Sequence, residues 1–386
     1  MNRSPKGVRG GLRPVLLLGL LSMLGDFVYE GGRAVAPDLF RQMGLTAAGV
    51  GFVMGAAELA GWVSRPLGGV IADRHGRYDL LVKIGYGSLI VIPCMAIAPN
   101  WGAVAAIVFA ERVARGLRVP ARDAMLAKVR GEMGLGSAFG LHEFLDQFGA
   151  VAGPLMIAGA AALHGDLKTS VVYTVVPYVA LLVLVTRLPA VTVNRSSDPR
   201  TESSRGRVLT YTLAASLNVA GLLPVSVILY KISGVAGGAE WLVPLAYSVA
   251  MITDALAAIP LGLALDRFGV RVVGVIILAS VAPVALLVDD AQSLLICAGL
   301  IGVVIGAHES IFRAVIAQMA QSGSLGSAYG LFGLGVGLGY SASGLVFGLM
   351  VDLGYSQEVM VAYAMAMQLL SLYFLRSATS VKRVAG

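Results

Sequence analysis

Asp26, Glu30 and Arg33 stand at i, i+4 and i+7 in an otherwise apolar run, so a helix there carries two carboxylates and a guanidinium on one face, with Tyr29 beside them. Glu111, Arg115, Arg118 and Arg122 form a second stripe, and Arg112 lies one residue round from it. Other apolar runs are interrupted by Glu58 and Arg65, by His142, Glu143, Asp146 and Gln147, by Asp254, and by His308, Glu309 and Arg313. An ionised side chain costs at least about 2.5–3.5 kcal/mol at the centre of a bilayer, so each is a functional candidate. A carboxylate in low dielectric favours its protonated form, and a neighbouring guanidinium reverses that preference. Moving an Arg relative to Asp26, Glu30, Glu58 or Glu111 would therefore load and unload a proton. The alternative is that these charges pair to lock helices or line a gate. For Arg65, Arg118, Arg122 and Arg313, near the expected helix ends, snorkelling to water favours that alternative. His142 and Asp146 are one turn apart and His308 adjoins Glu309, which suits either a proton relay or an interhelical hydrogen bond.

The elements that must hold these groups are membrane helices. Of 386 residues, 57% are hydrophobic and 13% charged, against about 25% charged in an ordinary soluble domain. Apolar runs of about 20 residues, each long enough to cross about 30 Å of hydrocarbon as a helix, recur along the chain. They place twelve spans near 14–34, 46–71, 79–99, 101–122, 137–162, 170–188, 208–230, 241–264, 272–288, 292–314, 326–350 and 356–375. A Ser- and Arg-rich stretch separates the sixth from the seventh, dividing the chain into halves 1–188 and 208–386 joined by a connector, 189–207. Asp26, Glu30, Glu58, Glu111, Glu143 and Asp146 put six of the span carboxylates in the first half, leaving Asp254 and Glu309 in the second. The 49 glycines read as packing surface between helices. Cys94 and Cys297 lie in separate spans without a ligand spacing, so neither a disulfide nor a thiolate metal site is expected. Arg3, Lys6, Arg9 and Arg13 before the first apolar run resemble a secretory signal, but no small-residue cleavage site follows, and an uncleaved first span is expected.

With both termini in the cytoplasm of a cell whose inner membrane holds the chain, 19 basic residues fall in inner segments, and only Arg41, Lys168 and Lys231 in outer loops. Topology thus accounts for the net charge of +7 without a nucleic-acid partner. An internal repeat is also legible: Leu135-Gly136-Ser137-Ala138-Phe139-Gly140-Leu141 returns as Leu325-Gly326-Ser327-Ala328-Tyr329-Gly330-Leu331. Likewise Gly69 to Gly76, with Asp73-Arg74, returns as Gly262 to Gly269, with Asp266-Arg267. Equivalent positions in the two halves imply parallel repeats around a central pathway.

These residues resemble the major facilitator superfamily. Gly69, Asp73, Arg74, Gly76 and Arg77 look like its G-x-x-x-D-R/K-x-G-R/K signature, and Arg112 to Gly116 resembles its R-x-x-Q-G element with Arg115 in place of Gln. Gly140, Gly149, Gly153 and Pro154 keep the G-x8-G-x3-G-P spacing of the family's antiporters. The resemblance implies an all-α membrane protein of two six-helix repeats around a cavity, with spans one, four, seven and ten along it and Asp26 and Glu30 facing Arg112 or Arg115. It also implies a gate latch in which Asp73 accepts from a helix N-terminus, with a weaker copy at Asp266 and Arg267; otherwise these loops are tight positive-inside turns. The expected function is secondary active transport, as proton-coupled antiport exporting a small organic molecule, by a monomer in a lipid bilayer with no cofactor and no resident metal. The alternatives are organic-anion uptake at Arg33, Arg112 and Arg115, and divalent-metal transport if His142, Asp146, His308 and Glu309 converge. No HExxH, GxSxG or Walker pattern points to an enzyme. Cysteines placed singly at Ser203 and Lys168 should label from opposite sides of the membrane; labelling of both from outside intact cells would overturn the topology.

Overall fold

A computed structural model describes residues 11–129, 135–188, 205–319 and 325–379. The described residues form helices and no strands. Twelve helical segments follow in order: α1 Leu12–Gln42, α2 Ala47–His75, α3 Tyr78–Ile97, α4 Trp101–Val129, α5 Leu135–His164, α6 Leu167–Val185, α7 Gly206–Val235, α8 Leu242–Phe268, α9 Arg271–Ala285, α10 Ala291–Met319, α11 Leu325–Asp352 and α12 Gln357–Thr379. Ten are long and apolar enough to cross a membrane; α4 is long but rich in charge, and α9 is short. Helices α1 and α4 run well past the expected spans, because polar residues such as Asp38, Gln42 and Lys128 extend them beyond the apolar core. The connector at 189–204 and the side chain of Asp73 lie outside the described residues.

The packing repeats. In the first half α1 lies against α5 and α6 and α2 against α4; in the second α7 lies against α11 and α12 and α8 against α10. The halves meet along α2 with α11 and along α5 with α8. Helix α7 breaks at Gly221 to Pro224, where proline supplies no N–H. The carbonyls this frees are taken within the bundle: Tyr363 donates to Ala220 O at 3.0 Å and Ser343 to Leu222 O.

We call the face carrying the start of α1 and the end of α12 the near face, and its opposite the far face. Bonds between halves cluster toward the far face. Glycines at Gly51 and Gly344 press α2 and α11 together so closely that a Cβ on either would meet the other's backbone. At the end of this seam the Asp352 carboxylate accepts from Ala47 N and Ala48 N, each at 2.8 Å, and Thr46 Oγ1 accepts from Gly49 N at 3.3 Å. Two N–H groups at the start of α2 are thus capped from the other half, where the helix dipole favours a carboxylate. Ser233 donates to Asp38 at 2.6 Å, and Leu167 N to Glu240 at 2.8 Å. Replacing Asp352 by Ala removes a cap worth about 1 kcal/mol, which shifts a two-state equilibrium about fivefold toward a parted far face. Faster alkylation from the far side of a cysteine replacing Met54, which lines the cavity on α2, in the variant than in the parent would register the shift; equal rates would show that the cap does not hold this face.

Candidate functional site

A cavity of about 780 Å³ lies between the halves, lined by α1, α2, α4, α5, α7, α8, α10 and α11. Helices α3, α6, α9 and α12 take no part in it, and they present residues such as Ile84, Val176, Val275 and Leu369 outward. Close helix approach assembles its walls. Gly149 and Gly153 of α5 meet the α1 backbone at Met23 and Phe27, and Gly116 of α4 meets Gly61 and Ser64 of α2. The glycine spacing therefore sets two α5 turns directly on the charged helix α1, with Pro154 following in the same helix. Gly140, in contrast, faces open space.

The charges of the first half form a connected chain. Glu30 lies 3.6 Å from Arg33, Arg33 donates to Glu58 at 2.5 Å, and Glu58 also takes Arg112 at 3.1 Å. Arg112 is 3.1 Å from Glu111 but makes no aligned hydrogen bond to it, and Glu111 Oε1 is buried without a partner. Arg115 places its guanidinium 4.5 Å above the Tyr29 ring, and Arg65 sits 3.7 Å from the Trp62 ring. Toward the near face Arg122 reaches Ser22 at 2.9 Å and Asp146 at 3.7 Å. One contact crosses to the second half at this depth: the Tyr247 hydroxyl of α8 donates to Glu30 at 2.5 Å, with Arg33 stacked 5.9 Å from the Tyr247 ring.

Asp26, Tyr29, Glu30, Arg33, Glu58, Arg115, His142, Asp146, Asp254 and Glu309 all line the cavity. Glu111 does not, and Arg112 lines a crevice beside it with Arg65 and Trp62. Asp26, Glu30 and Arg115 face the same cavity, but among the described residues neither carboxylate forms an ion pair with Arg112 or Arg115. Glu58 holds Arg112, Arg115 turns to an aromatic face, and Asp26 is buried without an ion pair among the described residues. Arg118 does not snorkel: it is 2% exposed, stacked 4.7 Å from Tyr86 and donating to Gly85 O at 3.3 Å. His142, Glu143 and Asp146 do converge, with candidate ligand atoms within 4.8 Å of one another, although Arg122 already occupies Asp146. His308 turns instead to Asn218, at 2.6 Å, so the four-residue metal set does not assemble. Tyr247, Asn218 and Trp62 carried no local signal in the sequence, because each acts through a partner on another helix.

The loops that carry the repeated Asp-Arg motif lie at the near face. Gly76 adopts φ 63° and caps α2, a left-handed position that favours glycine, and Gly69 approaches Pro120 of α4. Arg74 is exposed and Arg77 pairs with Asp79 at 3.5 Å. In the second copy, Asp266 and Arg267 are exposed and Gly269 closes α8 at φ 64°.

Two parallel six-helix repeats, enclosing a charged cavity that is tied shut toward one face, define a membrane transporter. Residues 15–229 match the model of the Major Facilitator Superfamily, and the chain belongs to that family. An uncharacterized protein of Mycobacterium bovis is 30% identical over 377 residues, covering 94% of this chain and 92% of its own. An uncharacterized MFS-type transporter of Methanocaldococcus jannaschii is 28% identical over 142 residues, 36% of this chain and 35% of its own. Among solved structures, the fold is similar to the nucleoside transporter NupG, with a TM-score of 0.76 at 16% identity over 95% of this chain and 100% of that one. It is also similar to a bacterial homolog of the human lysosomal transporter Spinster in an inward-facing, occupied conformation, with a TM-score of 0.63 at 15% identity over 94% of each chain.

The two carboxylates of α1 and α2 should respond differently to neutralisation. Glu58→Gln strands Arg33 and Arg112, and breaking a buried pair costs about 3–5 kcal/mol. Asp26→Asn strands nothing. Thermal unfolding of the purified variants should show a large drop for Glu58→Gln and little change for Asp26→Asn; similar melting points would contradict the pairing.

Proposed function

We propose that the chain is a proton-coupled antiporter that exports a small organic molecule by alternating access. The halves 1–188 and 208–386 are its rocking bodies, linked by the connector 189–207. The positive-inside count supports an inner-membrane protein with the near face in the cytoplasm. With the far face tied by Asp352, Asp38 and Glu240, the cavity is then accessible from the cytoplasm. A monomer suffices, since both halves of the cavity come from one chain.

The observation that carries coupling is the Tyr247 to Glu30 hydrogen bond, which joins α8 of one half to the charge chain of the other. When the far face parts, Tyr247 moves away with the second half. Losing a donor favours the protonated form of a carboxylate, so Glu30 takes up a proton from outside. Return of Tyr247 favours release of that proton toward the cytoplasm, the direction an inward proton gradient drives. Asp26, one turn away and unpaired, is the second carrier. Asp73 closes the near face in the outward-facing state, in the way Asp352 closes the far face in this one.

Glu30→Gln and Asp26→Asn should yield folded protein that no longer accumulates substrate against a gradient in proteoliposomes with an imposed pH difference, while downhill exchange persists. A substrate panel with internal pH recorded in parallel provides the readout. Wild-type pH dependence in both variants would sink the coupling assignment and leave a uniporter.

A further inference from the structure

The second half carries a polar device that proton coupling does not use. Gln368 Nε2 donates to the Asn218 backbone carbonyl at 3.1 Å, which fixes the amide so that Gln368 Oε1 accepts from Asn218 Nδ2 at 2.6 Å. Asn218 Nδ2 also reaches Ser280 Oγ at 3.2 Å, and Ser280 spends its own proton on Ile276 O at 2.8 Å. Asn218 Oδ1 is therefore the atom turned to His308, and His308 Nε2 must donate to it, at 2.6 Å. The remaining ring nitrogen, Nδ1, is buried and has no partner. No acceptor faces it, so it carries the lone pair.

His308 opens a π turn, His308–Phe312, inside α10, and such turns recur at functional sites. The turn presents His308 and the next residue, Glu309, to the cavity. Asp254 of α8 packs against Gly306 just before it; Asp254 is 3% exposed and its Oδ1 has no hydrogen-bond partner. Neither Asp254 nor Glu309 forms an ion pair among the described residues. This wall thus carries two carboxylates without an ion pair, with Arg313 about one turn further along α10 also lining the cavity. Across the cavity, Arg65 and Arg115 lie on aromatic faces and form no ion pair among the described residues, so on that wall, which also carries carboxylates, these two guanidinium groups are left without a carboxylate partner. Buried groups left unpaired on both sides cost free energy unless a ligand completes them.

We propose that the cavity binds an amphoteric organic molecule, its protonated amine held by Asp254, His308 Nδ1 and Glu309, and its carboxylate or phosphate held by Arg65 and Arg115. The proposal rests on the transport reading and deepens it by naming the substrate class. The amine pole belongs to the second half and the anion pole to the first, so a bound molecule of this kind bridges the rocking bodies.

The test uses purified full-length protein in nanodiscs and one scaffold in three charge states: ε-aminocaproate, its amide, which is only cationic, and its N-acetyl derivative, which is only anionic. γ-Aminobutyrate serves as a shorter homologue and manganese chloride as a metal arm. The better amphoteric probe should bind about tenfold or more tightly than either singly charged form. Asp254→Asn should weaken the amphoteric and cationic probes about tenfold and leave the anionic one unchanged; Arg115→Gln should do the reverse. His308→Gln keeps an N–H toward Asn218 and replaces the Nδ1 acceptor by an amide oxygen displaced from its position, so it should weaken amine binding without lowering the melting temperature. Equal affinity for the three charge states, absence of binding by both amphoteric probes, or manganese binding that Asp254→Asn abolishes would each overturn the proposal. Loss of proton-driven accumulation is scored separately in Glu30→Gln. Lost coupling with retained probe binding keeps the two readings apart.

Discussion

A charge placed in hydrocarbon must be neutralised by another group of the same chain, and the first half is built around that constraint. Glu58 answers it for two arginines at once, Arg33 and Arg112. Arg115 and Arg118 answer it with the faces of Tyr29 and Tyr86, which disperse a guanidinium's charge without adding a carboxylate. Because each pair leaves its groups desolvated, the arrangement tolerates little relaxation: removing one member costs more than the pair contributes. The helices that carry these groups are consequently fixed relative to one another.

Such pairing needs helix axes closer than large side chains allow. Glycines provide the approach at each contact that matters: Gly149 and Gly153 on α1, Gly116 on α2, and Gly51 against Gly344 between the halves. A glycine seam between halves differs from one within a half in what replaces it on separation. Within a half, parting would expose charge to lipid; between halves, parting admits water to polar walls. On the alternating access proposed above, the same packing chemistry keeps the first set of contacts closed and lets the second part.

Much of this was legible because it is local. The stripe Asp26, Glu30, Arg33 follows from helical spacing, the twelve helical segments, ten of them long and apolar enough to span, from hydropathy and length, and the two repeats from returning motifs. The partners were not legible, since a pairing such as Glu58 with Arg112, or Arg115 with Tyr29, depends on crossing positions that no local pattern encodes. Arg118 illustrates the limit: snorkelling suits a long cation near a helix end, but two aromatic rings and the Gly85 carbonyl held it inside instead. Tyr247 sits in an apolar run where a tyrosine reads as packing, and only the approach of α8 to α1 turns its hydroxyl toward Glu30.

The repeats that the motifs reveal have diverged in chemistry while keeping their helix pairings. In the first half the buried polar groups are ionic and depend on protons for their charge; in the second they are mostly amides and hydroxyls, Asn218, Gln368, Ser280 and Ser371, whose bonds do not change with pH. On the coupling proposed above, protonation in the first half can become motion of the second only through a contact between them. At mid-depth that contact is the hydroxyl of Tyr247 on Glu30, a neutral donor on a charged acceptor, which weakens when the acceptor is protonated. A link between two ions would hold the halves too firmly to part, and one between two neutral groups would not sense the proton; an uncharged donor on a carboxylate lies between these limits.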